Sequence, residues 1–123
     1  MKDGDTFGRE WVEAWNRRDV EAVLAHYRDD VRFVSPTAAL VTGNPVVEGK
    51  DALRAYWTAA LKRIGELRFA FDRVLWDPAA SELLIVYTRE LEGRRERACE
   101  LFRFDASELV FEGEALYGAR LNG

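Results

Sequence analysis

Cysteine, histidine and methionine each occur once in this chain of 123 residues, and proline three times. A lone Cys99 excludes an intrachain disulfide and suits a reducing compartment, so a cytoplasmic protein is expected. One imidazole and one thiol cannot build a nitrogen/sulfur metal site in a single copy. No apolar run approaches the roughly 18 residues that cross a bilayer. Lys and Arg number 18 against 22 Asp and Glu, a net charge of −4. Neither a membrane nor a nucleic acid is therefore an expected partner. The densest basic run, Arg94-Arg95-Glu96-Arg97, is broken by a glutamate and reads as a solvated hairpin flank. Gly43-Asn44-Pro45 and Glu48-Gly49-Lys50 are turn punctuation with neither a dinucleotide fingerprint nor a P-loop spacing, and no cofactor is expected. The polar start, Met1 to Thr6, leads into a helix and not into a signal peptide's apolar core.

What is present is apolar and aromatic. Hydrophobic residues make up 48% and charged residues 33%, the balance of one globular domain over residues 1–123. Phe7, Trp11 and Trp15 recur at i, i+4, i+8 and line one helix face. Asn16-Arg17-Arg18-Asp19 ends that helix, and Asp19 is a good N-cap for the next. Val20, Val23, Leu24 and Tyr27 predict a second amphipathic helix. Val31 to Ser35 predicts a strand stopped by Pro36. Residues 37–47 read as a loop, with a short strand possible at Leu40–Val41. Leu53, Tyr56, Trp57, Ala60, Leu61 and Ile64 give the cleanest helical stripe in the chain, ended by Gly65.

The remainder alternates. Leu67, Phe69 and Phe71 share one parity of a strand running to Trp76, and Asp77-Pro78-Ala79-Ala80 turns it. Leu83 to Leu91 follows, apolar on both parities at its start. Glu92-Gly93 turns into Arg94 to Phe104, and Asp105-Ala106-Ser107-Glu108 into Leu109 to Gly118. Helices first and an antiparallel meander after predict an α+β fold, a curved antiparallel sheet wrapped as a cone around N-terminal helices.

Glu100 is the sharpest chemical signal. Glu96, Ala98, Glu100, Phe102 and Phe104 share one strand parity, while Arg95, Arg97 and Arg103 crowd the other. The first parity then faces inward, with Glu100 between two apolar neighbours. A carboxyl there either meets a buried donor or is desolvated until it holds its proton at neutral pH. The other readings are a register that turns Glu100 to water, or a structural hydrogen bond to a buried Trp. Glu112 and Glu114 share a parity opposite Phe111, Ala115 and Tyr117 and are expected to face outward; a one-residue slip would bring Glu114 beside Glu100.

The residues Trp15-Asn-Arg-Arg-Asp19, Tyr27-Arg-Asp-Asp-Val-Arg-Phe33, Ser35-Pro36, Glu48-Gly-Lys-Asp-Ala-Leu53 and Leu101-Phe-Arg-Phe-Asp105 carry a resemblance to a known superfamily. From about Thr6 to Tyr117 the chain resembles the nuclear-transport-factor-2-like proteins, on the branch of ketosteroid isomerases and SnoaL-like polyketide cyclases. The resemblance implies a cystatin-like roll with a pocket. In the isomerases an acid just before a segment like Leu101-Phe-Arg-Phe104 donates a hydrogen bond to the substrate oxyanion. Glu100 matches that place, Trp11 that of a partner tyrosine, and Ser35 that of the base; Tyr27 and Trp57 match two supporting tyrosines.

The departures decide the chemistry. Ser35 cannot abstract a proton from carbon near pH 7 without an activating base. Trp11 donates a hydrogen bond but cannot cycle a proton as a phenol does. The resemblance therefore implies a pocket without ordinary ketosteroid isomerisation. It would hold a small hydrophobic molecule bearing a carbonyl or hydroxyl, with Glu100 and Trp11 as polar anchors. Trp15, Tyr27, Phe33, Trp57, Phe71, Phe102 and Tyr117 are the expected walls. His26, off the stripe of its helix, is a catalytic candidate only if it leans over the pocket mouth. Two other readings stay open: a non-catalytic dimeric binding module, and a SnoaL-like cyclase or dehydratase using His26 or Glu114 as base. Family sheets pair through their outer face, here Cys99 and Leu101 among Arg95, Arg97 and Arg103, so a homodimer is expected.

Overall fold

Asp3 accepts a hydrogen bond from the Thr6 amide at 3.3 Å and starts α1 (Gly4–Asn16). The computed structural model describes residues 3–121, so Met1, Lys2 and the last two residues lie outside the described range. The side chain of Asn16 clasps β3 (Leu67–Asp77): its amide donates to the Phe69 carbonyl at 2.9 Å and its oxygen accepts from the Phe69 N–H at 2.8 Å. Arg18 sits at a positive φ of 59° and its guanidinium donates to the carbonyls of Leu61, Ile64 and Gly65. Those carbonyls close α4 (Lys50–Arg63), where orphan acceptors need donors. The Asn-Arg-Arg-Asp break is thus a three-way junction. Asp19 completes it by capping α2 (Val20–Leu24) through the Ala22 amide.

Two boundaries differ from expectation. The second helix ends at Leu24, and Tyr27 opens β1 (Tyr27–Val34) instead of closing a helical stripe. Pairing outweighs local periodicity here: Tyr27 lies opposite Val110, whose N–H donates to the His26 carbonyl at 2.8 Å. Residues 37–47 are also not a plain loop. Pro36–Thr42 form α3, started by the Ser35 hydroxyl, which accepts from the Thr37 amide at 3.1 Å, and stopped by Gly43 at φ 84°. Only Ala38 of this helix is fully buried, Val41 packs partly against the core and Leu40 is exposed, so the short helix left no clear period to read. β2 (Val46–Glu48) then pairs with β1.

The last two thirds of the sheet are the expected meander, β3, β4 (Glu82–Leu91), β5 (Arg94–Phe104) and β6 (Val110–Arg120). In space the order is β2-β1-β6-β5-β4-β3, antiparallel throughout except where β1 runs parallel to β6. That one parallel step returns the N-terminal strand to the meander and lets a six-stranded mixed sheet curl over α1, α2 and α4. No helix among the described residues is long and apolar enough to cross a membrane.

Between sheet and helices lies a continuous aromatic core. Phe102 meets Phe7, Trp11, Tyr27 and Phe104 at ring-centroid distances of 5.2 to 6.4 Å, mostly edge to face. α1 approaches β3 closely because residue 8 has no side chain. A methyl built there would stand 2.7 Å from a Phe71 ring carbon and 2.8 Å from a Val74 methyl. Alanine gains roughly 1 kcal/mol of helix propensity over glycine, and overpacking costs about 1–3 kcal/mol. Gly8→Ala is therefore expected to lower the melting temperature, and a rise would show that α1 can lift from β3 without loss.

Candidate functional site

Register on β4, β5 and β6 builds the site. Ile85 pairs with Glu100 and Glu100 with Ala115; one step along, Tyr87 pairs with Ala98 and Ala98 with Tyr117; Arg89 pairs with Glu96. Paired residues share a face of the sheet, so Glu100, Tyr87, Tyr117 and Arg89 all project toward the helices. They border a cavity of about 100 Å3 closed by Trp11 and Trp15 of α1, Phe33 and Ser35 at the end of β1, and Tyr56 and Trp57 of α4. Half-buried Leu61, Ile64, Leu67 and Leu91 add apolar lining. Such a volume suits a single ring, well below the 300 Å3 or more of large ligand sites.

Glu100 is only 4% exposed. Burial pushes its carboxyl up to about 8, against the opposing charge of Arg89 and with a smaller push from Glu114. At neutral pH it is mostly protonated and can donate a hydrogen bond as well as accept one. The indole N–H groups of Trp11 and Trp15 and the Tyr27 hydroxyl are buried without a hydrogen-bond partner. Burial, and then the charge of Glu100, raise the Tyr27 phenol well above its ordinary range. The Trp11 indole lies near enough to that oxygen to act in the opposite sense, without reaching hydrogen-bond geometry. Burial also pushes the Tyr56 phenol up to about 12, against the pull of the neighbouring Ser35 hydroxyl. The cavity is thus rich in neutral donors.

Ser35 is 1% exposed, and its oxygen already accepts the Thr37 amide in capping α3. The Thr37 hydroxyl in turn donates to the Tyr117 hydroxyl oxygen at 3.3 Å. No imidazole borders the cavity among the described residues.

Of the expected site residues, Glu100, Trp11, Ser35, Trp15, Phe33, Trp57 and Tyr117 come together here. Four do not. Tyr27 and Phe102 sit one layer behind the wall, each packed into the ring cluster. Phe71 lies farther along β3, under Gly8 and beneath the Arg9 guanidinium at 4.5 Å, because α1 crosses that end of the strand. His26 stands on the far side of α1, its ring 5.0 Å from that of Phe7 and beside Glu10 and Arg17 in a separate groove. The turn after α2 aims it away from the cavity.

Glu112 and Glu114 face outward, where Glu112 pairs with Arg32 and Arg103. Phe111 departs from the expected alternation: a register shift between Arg103 and Phe104 buries Val110 and leaves Phe111 exposed under Arg28. The polar lining residues Thr37, Tyr56, Tyr87 and Arg89 were not among the expected site residues, nor were several apolar ones. Counting on from Leu83, Ile85 and Tyr87 at every second residue gives the face of Arg89 but not its place in the cavity. Tyr56 was visible only as part of a helical stripe. Among the described residues no group of three or more His, Cys, Asp or Glu side chains could hold a metal ion.

The family model described as the SnoaL-like domain matches residues 8–112. A SnoaL-like protein of unknown function from Burkholderia thailandensis is 33% identical, with a TM-score of 0.82 over 93% of this chain and 92% of that one. A nuclear-transport-factor-2-like protein of unknown function from Burkholderia pseudomallei is 24% identical, with a TM-score of 0.78 over 94% and 91%. TerC, co-crystallised with polyporic acid, is 15% identical and shares the fold at a TM-score of 0.76 over 94% and 92%. No curated protein matches the chain in sequence.

Proposed function

The chain belongs to the SnoaL-like domain family, and on that basis we propose that it binds a small, ring-bearing hydrophobic molecule with a carbonyl or hydroxyl oxygen held between Glu100 and Trp11. One observation carries this reading: a buried, largely neutral carboxyl and two unpartnered indole N–H groups border one apolar cavity. A buried donor without a partner costs about 1–3 kcal/mol. A ligand oxygen accepting from Trp11 would remove that cost, and the protonated carboxyl of Glu100, lining the same cavity, would donate a second hydrogen bond to the ligand. TerC, of the same fold, was crystallised with polyporic acid, which supports a ring compound as the occupant class.

Any turnover would be acid chemistry at Glu100, since Ser35 is engaged in capping α3 and cannot serve as a carbon base. The test is a titration with 4-hydroxyacetophenone followed by tryptophan fluorescence, with native mass spectrometry for a co-purified ligand. Saturable quenching is expected, weakened about tenfold in Trp11→Phe, the size of one lost hydrogen bond. Quenching that never saturates would sink the reading.

The same proposal includes a homodimer. On the outer face, Leu75, Leu84 and Leu101 form one row across neighbouring strands, and Val86, Cys99 and Leu116 the next. Leu75 is 53% and Leu116 44% exposed. Ion pairs of Arg103 with Glu82 and Glu112, and of Arg97 with Asp72, flank this patch. An apolar centre with a charged rim is the anatomy of a protein interface. Sedimentation is expected to give a dimer at micromolar concentration and a monomer for Leu101→Glu; a wild-type monomer would remove the dimer from the proposal.

A further inference from the structure

Arg89 is the only cation lining the cavity among the described residues. Its side chain is 15% exposed, and its guanidinium carbon lies 3.9 Å from the centroid of the Tyr117 ring. Its Nε lies 3.0 Å from Glu96 Oε1, near enough to pair charges, yet it is buried without an aligned hydrogen-bond acceptor. A guanidinium presents its donors in a planar fork matched to a two-oxygen anion. Here the plane is held by a ring on one face and by a carboxylate at the edge, and the fork is incompletely used. The other polar groups of the cavity are the Ser35, Thr37, Tyr56 and Tyr117 hydroxyls, the indole N–H groups and Glu100. None of them supplies a second positive charge.

We propose that Arg89 makes this cavity selective for single-ring compounds carrying an anionic oxygen group, a carboxylate or an ionised enol or phenol, and that Glu96 competes with that group for the guanidinium. The inference rests on the small-molecule reading above and assigns the charge of the ligand, which that reading leaves open. Glu96 stands on β5 directly opposite Arg89 and is part of the hairpin rim. An entering carboxylate would take over the fork's free donors and share the cation with Glu96.

Benzoate and benzamide, equal in shape and differing in charge, separate the two levels. Wild-type protein is expected to bind benzoate at least about tenfold more tightly than benzamide, the size of one charge-assisted hydrogen bond. Arg89→Gln is expected to erase that preference, with a cooperative unfolding transition like that of wild type showing that the variant is folded. Arg89→Lys should restore part of the preference, because a point charge lacks the fork. Glu96→Gln should act in the opposite direction and tighten benzoate alone. Equal binding of the two probes by wild type, or a benzoate preference that survives Arg89→Gln, overturns the inference and leaves the small-molecule reading standing. Failure of both probes and of 4-hydroxyacetophenone to bind overturns both.

Discussion

Replacing Glu100 with glutamine is expected to stabilise the protein at pH 7 by about 3 kcal/mol, at roughly 1.4 kcal/mol per unit of pKa displacement. The folded carboxyl is raised to about 8 from an ordinary value of 4.5, chiefly by burial. Below the lower value both folded and unfolded chains hold the proton, and the group costs nothing. Between the two values the unfolded chain releases its proton and the folded chain does not, so stability falls as pH rises. Above the upper value the penalty is complete and constant. Glutamine keeps the size and a donor while removing the titration. Urea denaturation from pH 4 to pH 9 should therefore show wild type losing stability across that window and Glu100→Gln nearly flat. A variant less stable than wild type at pH 7 would mean that Glu100 is held ionised by a partner.

Truncating Phe102 to alanine should cost about 3–5 kcal/mol, the range for losing a fully buried aromatic ring and leaving a cavity. Phe102 has no exposure and touches rings from α1, β1 and its own strand. Since Trp11 and Tyr27 both lean on it, the loss should also loosen the wall behind Glu100. Equilibrium unfolding is expected to show a midpoint shift with little change in slope. A cost under about 1.5 kcal/mol would mean that the ring cluster collapses into the gap. The contrast with Glu100 separates two kinds of buried residue on one strand: Phe102 holds the sheet to the helices, and Glu100, two positions away on the same face, costs stability near neutrality.

The sequence by itself determined the fold class, because its signals are local and redundant. A ring at every fourth position fixed the buried face of α1, alternation fixed the strands of the meander, and Asp19 and Gly65 marked helix ends. It also put Glu100 inward, since three arginines on the other parity of β5 leave only one face for water. Tertiary structure alone decided what depends on distant pairing. Tyr27 became a strand residue because β6 offered it a parallel partner 83 positions later. His26 and Phe71 left the pocket because the path of α1 divides the interior, and no periodicity encodes which side of a helix a neighbouring turn will face. Arg89 entered it because a hairpin register, set by the turn at Glu92-Gly93, laid it opposite Glu96 and beside Tyr117. Periodicity tells which face of an element is buried; only the packing of one element on another tells which buried side chains meet.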